Sequence, residues 1–140
     1  MGKRRKARET ALKIIYAVDL TGEDLEDYLK IFFDRDESSI DGETKDFCLE
    51  VLRGTLRRMA DIDKLIRKYA QNWELERMAV IDKNIIRLAA YELLYMPTIP
   101  AKVSINEAID IAKKYGDKDS GKFVNGILDK IKNEEASCKG

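Results

Sequence analysis

The segment from about Glu76 to Tyr95 constrains this chain more than any other. Ile81, Ile85, Ile86, Leu88, Ala89, Ala90, Leu93 and Leu94 cover nearly its whole circumference at helical spacing. A helix apolar nearly all round is a central one, wrapped by others. Asp82, Arg87 and Glu92 sit on the same segment. Isolated buried charge is costly, so each must find a partner or an edge. Pro97 stops this helix, and Pro100 opens the next one in its first turn.

Those are the only two prolines, and no stretch of useful length alternates with period two, so strands are unsupported. A first helix is predicted from about Lys3 to Leu20, burying Ala7, Ala11, Ile14, Ile15 and Val18 and ending at Thr21-Gly22. A second, from about Asp24 to Phe33, turns Leu25, Tyr28, Leu29, Phe32 and Phe33 inward, and an acidic loop with Ser38, Ser39 and Gly42 follows over 34–42. A third runs from about Glu43 to Met59 and a short fourth over 61–70. Trp73 then falls in a loop, as a plug for the end of a helical core or as part of a binding surface. The sixth helix reaches about Tyr115. Ser104-Ile105-Asn106-Glu107 has the form of a capping box, which leaves its start between 101 and 105. Asp117 or Asp119 caps a seventh helix that frays near Asn133, and the polar tail 134–140 is expected to be mobile. Short joins and the absence of a repeat give one all-α domain over 1–140, a compact bundle of about seven helices.

There is no histidine, which removes the commonest general acid–base and the commonest metal ligand. No paired-cysteine zinc spacing, phosphate-binding GxxxxGK[ST] loop or GxGxxG turn occurs. The chain therefore reads as a non-enzyme without a cofactor or metal. No apolar run approaches the length of a membrane span, and Asp19, Glu23 and Asp24 follow the basic start too soon for a signal peptide. Cys48 lies on an apolar face and Cys138 in the polar tail, so a reducing cytoplasm fits.

The net charge of zero hides a strong polarity. Residues 1–16 carry six basic side chains and one acidic one, whereas 19–50 carry twelve acidic and three basic. Lys3, Arg4, Arg5, Lys6 and Arg8 form a basic arm over the first turns of helix one. Such an arm on a neutral protein reads as a local phosphate-binding patch, or as a solubilising or import signal. Because these side chains precede the apolar stripe, the arm is expected to project from the packed body. The acidic stretch could face a basic partner, by charge complementarity alone.

The last helix carries a second signal. In Asp119-Ser120-Gly121-Lys122-Phe123-Val124-Asn125-Gly126, two glycines interrupt a core-helix rhythm. Each costs roughly 1 kcal/mol relative to alanine, which implies a close approach to the backbone. Lys122 beside Phe123 could grip an unpaired base by charge and stacking, or Phe123 could belong to the core. Asp119 could accept hydrogen bonds from a base amino group or cap the helix. Tyr16 lies off the centre of the first helix's stripe.

Three separated blocks then resemble one family. Arg4-Arg5-Lys6-Ala7-Arg8-Glu9-Thr10-Ala11-Leu12 with Tyr16 is similar to the opening of the NusB family of bacterial transcription antitermination factors. Asp82-Lys83-Asn84-Ile85-Ile86-Arg87-Leu88-Ala89-Ala90-Tyr91-Glu92-Leu93 resembles its central helix. Residues Ile99 to Ile109, Ala112 to Gly116 and Asp119 to Gly126 resemble its C-terminal half. Nearly the whole chain is covered, although 19–46 carries no recognisable signature.

The resemblance implies an all-helical fold of two packed subdomains and no catalysis. It implies binding of the boxA element of nascent ribosomal RNA leader transcripts, together with NusE, which is also a small-subunit ribosomal protein. The complex would help RNA polymerase read through terminators. By matching position, the resemblance nominates Lys3, Arg4, Arg5, Arg8, Tyr16, Asp119, Lys122 and Phe123 as RNA-binding residues, with Asp82 close by. Two other readings stay open. One is the NusB-like accessory domain of ribosomal RNA cytosine-5 methyltransferases, although no methyltransferase signature occurs within the 140 residues. The other is a protein-only helical adaptor, or a homodimer that hides the arm.

Overall fold

The computed structural model describes residues 2–35, 40–71 and 74–136. The loop serines Ser38 and Ser39, Trp73 and the tail from 137 onward, with Cys138, lie outside the described residues. Seven α-helices and no strand occur among the described residues: α1 (Lys3–Thr21), α2 (Leu25–Arg35), α3 (Gly42–Arg57), α4 (Met59–Tyr69), α5 (Val80–Tyr95), α6 (Ala101–Tyr115) and α7 (Ser120–Glu135). Helices α1 to α4 form one group, with α2 and α3 both packed on α1, and α5 to α7 form another; α5 joins the two. It touches α1, α3, α4, α6 and α7, and eleven of its sixteen residues are buried, as a helix apolar nearly all round requires.

Several ends follow from local chemistry. α1 stops at Gly22, whose φ of 73° lets its N–H reach the Val18 carbonyl at 2.9 Å. α3 begins after Asp41, whose carboxylate accepts from the Thr44 N–H at 2.8 Å. α5 starts at Val80, later than its apolar pattern predicts. The first residues of the predicted helix are not helical: Leu75–Arg77 form a single 3-10 turn, with Leu75 and Met78 buried, before α5 begins.

The capping box at the start of α6 is a misreading. α6 begins at Ala101 after Pro100, and Ser104 lies one turn inside it, buried, donating to Glu92 on α5 at 2.9 Å. The tail also begins later than expected: α7 runs to Glu135, which accepts from the Tyr69 hydroxyl of α4, and Ala136 is buried.

Glycine 54 of α3 is fixed by packing. A Cβ there would overlap the ring of Tyr91, so α3 and α5 meet with backbone against ring. α2 lies outermost and packs chiefly on α1, which leaves Tyr28, Phe32 and Phe33 half-buried. Its Glu26 takes a bidentate pair from Arg53 of α3.

Candidate nucleic-acid interface

α1 and α5 run antiparallel. Arg8 near the start of α1 pairs with Glu92 near the end of α5, and Asp19 near the end of α1 meets Lys83 near the start of α5. The candidate residues therefore fall at two ends of one helix. At about 1.5 Å per residue, Arg4 and Tyr16 are roughly 18 Å apart.

At the first end the arm does not project freely. Lys3 is held at 3.1 Å by Asp41 and at 3.4 Å by Glu43. Arg4 is exposed and lies over the Phe47 ring, 4.7 Å from its centroid. Arg5 makes a fork to Glu107 at 2.7 and 2.6 Å and reaches Asp110 at 2.9 Å, which raises its pKa further. The same pairing holds the Glu107 carboxyl below its ordinary range.

Arg8 is buried. It donates to both Glu92 oxygens at 2.9 and 2.8 Å and to Glu107 at 3.3 Å, and it sits over the other approach to Phe47. This corrects the expectation of an arm that precedes the packed body. Arg8 ties α1 to α5 and α6, because Glu92 on the apolar central helix needs a cation. Glu9 does the same on the next face, accepting from Lys114 at 3.0 Å and Tyr115 at 2.8 Å.

At the second end, Asp82, Asp119 and Phe123 come together. With Arg77, Met78, Ala79 and Asp117 they line an open depression of about 410 Å³ between the start of α5 and the start of α7. Phe123 is half-buried, between the core and solvent, and Lys122 beside it is exposed. Asp82 is 8% exposed, and its Oδ1 atom has no hydrogen-bond partner among the described residues. Burial pushes its carboxyl above the ordinary range; the Ser120 hydroxyl opposes that shift and the charge of Asp117 adds to it. Tyr16 is half-buried on α1, one turn before Asp19.

Asp119 precedes α7, but its side chain makes no capping hydrogen bond. Asp117 closes this turn instead, accepting from the Asp119 N–H at 2.8 Å, while Ser120 accepts from the Asp117 N–H at 3.0 Å. Gly121 shows the close approach expected of it: it faces Lys113 and Ile109 of α6, so its bareness serves helix packing. Gly126 does not, because a Cβ added there would meet nothing within 4 Å among the described residues. The roles of Phe47, Glu107 and Lys114 against α1 were not legible in the sequence, because their partners Arg4, Arg5 and Glu9 lie 43, 102 and 105 positions away.

Among the described residues no group of three or more histidine, cysteine, aspartate or glutamate side chains could hold a metal ion. No helix is long and apolar enough to cross a membrane. Cys48 is fully buried, which pushes its thiol up to about 12.

The fold and site are those of a small all-α binding module with a basic first helix and an aromatic–acidic depression. The NusB family model matches residues 5–133, and the chain belongs to the NusB family. It is 43% identical to the transcription antitermination protein NusB of Thermodesulfovibrio yellowstonii, covering 95% of this chain and 93% of that protein. Identity to the protein of the same name from Trichlorobacter lovleyi is 48%, with 98% of each chain covered. Among solved structures, T. maritima NusB superposes with a TM-score of 0.87 at 43% identity, covering 97% of this chain and 95% of that one. A chain from a complex of the antitermination factors NusB and NusE with dsRNA superposes with a TM-score of 0.85 at 27% identity, covering 95% and 98%.

Proposed function

We propose that this chain is a transcription antitermination factor that binds boxA RNA of ribosomal leader transcripts together with NusE, within an RNA polymerase antitermination complex. Family membership supports the class, and the likeness to a NusB chain from a complex with NusE and dsRNA supports the partners. The observation that carries the site is the depression at the start of α7, where a partly exposed ring meets a buried carboxylate oxygen with no hydrogen-bond partner among the described residues.

Sequence-specific RNA recognition works on unstacked bases that lie on aromatic faces and are read at their edges. Phe123 offers the face. Asp82 and Asp119 offer acceptors suited to the amino groups of cytosine or adenine. Lys122 and the exposed cations of α1 offer charge to phosphates, which sets position rather than sequence. The chain is read as a single cytoplasmic domain that acts by binding, a reading favoured by the absence of histidine, the commonest general acid–base.

The test is titration of a boxA oligonucleotide and a scrambled control of equal length, with and without NusE. Preference for boxA, tightened by NusE through a coupling of about 1–3 kcal/mol, is expected. Equal binding of both RNAs in the presence of NusE would refute the proposed specificity.

A further inference from the structure

The turn between α6 and α7 holds more acceptors than donors. Ser120 is 1% exposed and carries one hydroxyl proton. Its Oγ accepts from the Asp117 N–H at 3.0 Å and donates to Asp117 Oδ1 at 3.3 Å. Asp82 faces the same hydroxyl from α5. A single proton cannot serve both carboxylates at once. Asp82 Oδ1 lies in a side chain more than nine-tenths buried and has no donor among the described residues. An acceptor left in this way costs free energy until a donor reaches it.

Among the described residues no cation fills that role. Arg77, on the 3-10 turn beside the depression, reaches back to Glu74 at 3.4 Å. Lys83, next to Asp82 on α5, turns to Asp19 of α1 at 3.0 Å. Lys118 and Lys122 are exposed, and neither pairs with Asp82. The charges that share the depression with Asp82 are those of Asp117 and Asp119 as well as Arg77, and the charge of Asp117 adds to burial in favouring a protonated carboxyl. Two species can therefore complete the cluster. One is a proton on Asp82, shared with the Ser120 oxygen, which frees the hydroxyl proton for Asp117. The other is an N–H group brought to Oδ1 by a ligand.

We propose that RNA and a proton compete for Asp82: a base amino group entering the depression donates to Oδ1 of the ionised carboxylate, and any proton held there by the free protein leaves to solvent. One O–H bond breaks, one N–H···O hydrogen bond forms, and nothing else is transferred. This rests on the reading of the chain as an RNA-binding factor and adds a pH dependence to it. The sign is diagnostic. A protonated Asp82 that donated to a base carbonyl would instead bind RNA more tightly as pH falls.

The experiment follows the side-chain carboxyl carbon of Asp82 by NMR through a pH titration, in the free protein and in the protein saturated with a boxA oligonucleotide and NusE. The Asp82→Asn spectrum assigns the resonance. Its midpoint is expected to move to lower pH when RNA binds. BoxA affinity, measured at constant ionic strength from neutral pH towards the ordinary carboxylate value of about 3.9, should fall with pH. The fall should approach about tenfold per pH unit below the free-protein midpoint, as displacement of one proton requires. Asp82→Asn should show a flatter dependence, with Asp117, Asp119 and the RNA titrating as before, and unfolding curves at each pH confine the comparison to folded protein. A midpoint unchanged or raised by RNA, or equal pH slopes in the two proteins, overturns the competition and leaves RNA binding standing. A wild type that shows no preference for boxA over a scrambled control at neutral pH overturns both.

Discussion

The two ends of α1 solve opposite problems. At the arm end the buried charges are partnered: Arg8 meets Glu92 and Glu107, Arg5 meets Glu107 and Asp110, and Ser104 also donates to Glu92. At the other end Asp82 Oδ1 has none among the described residues, and the aromatic ring beside it is partly exposed. A satisfied network rigidifies a fold, whereas an unsatisfied buried group costs free energy until something satisfies it. Conspicuous charge in a sequence can therefore mark structure, and the site can lie where the bonding is incomplete.

The largest effect should come from Arg8. Replacing it with alanine leaves Glu92, which is 2% exposed, without its cation on the central helix. A loss of about 3–5 kcal/mol is expected, measured by urea denaturation. A stable Arg8→Ala protein that has lost RNA binding would reverse the assignment of this end.

Phe123 should behave in the opposite way. Phe123→Ala is expected to weaken RNA binding by about 1–3 kcal/mol, as loss of a stacking platform does. Its stability loss should fall short of the roughly 3–5 kcal/mol of a fully buried phenylalanine. Denaturation and RNA titration of the same variant separate the two quantities; normal binding by a strongly destabilised protein would return this ring to the core.

Asp82 gives the smallest and most specific effect. Burial raises its folded-state pKa above the unfolded value, so ionisation at neutral pH works against folding. Asp82→Asn should therefore be more stable than wild type at neutral pH. The advantage should shrink as pH falls through the raised folded value and vanish below the unfolded value of about 3.9. Stability curves for both proteins across this range check the sign, and a constant difference would show that charge is not the cause.

Much of the fold was legible because its determinants are local. The apolar circumference of α5 shows that it is central, Gly22 ends α1, and Pro100 sets the start of α6. What failed depended on distant partners. Ser104 and Glu107 have capping-box spacing, yet they serve Glu92 and the arginines of α1. Arg8 reads as part of an exposed basic run until α5 is laid against it. Gly126 reads as a second point of close approach, but a Cβ added there would meet nothing within 4 Å among the described residues. Asp119 and Phe123 were open to a binding reading from their own chemistry and Asp82 was named only through the family resemblance; their meeting around one depression is a property of the packed helices α5 and α7.

The most direct measurement is a residue-by-residue map of backbone amide shifts as a boxA oligonucleotide is titrated into the protein with NusE already bound. Shifts are expected along the exposed face of α1 at Lys6 and Tyr16, and around Asp82 and Asp119 to Phe123, with Glu92 and Ser104 quiet. Shifts confined to the acidic α2 and the start of α3, with the depression silent, would contradict the placement of the RNA site.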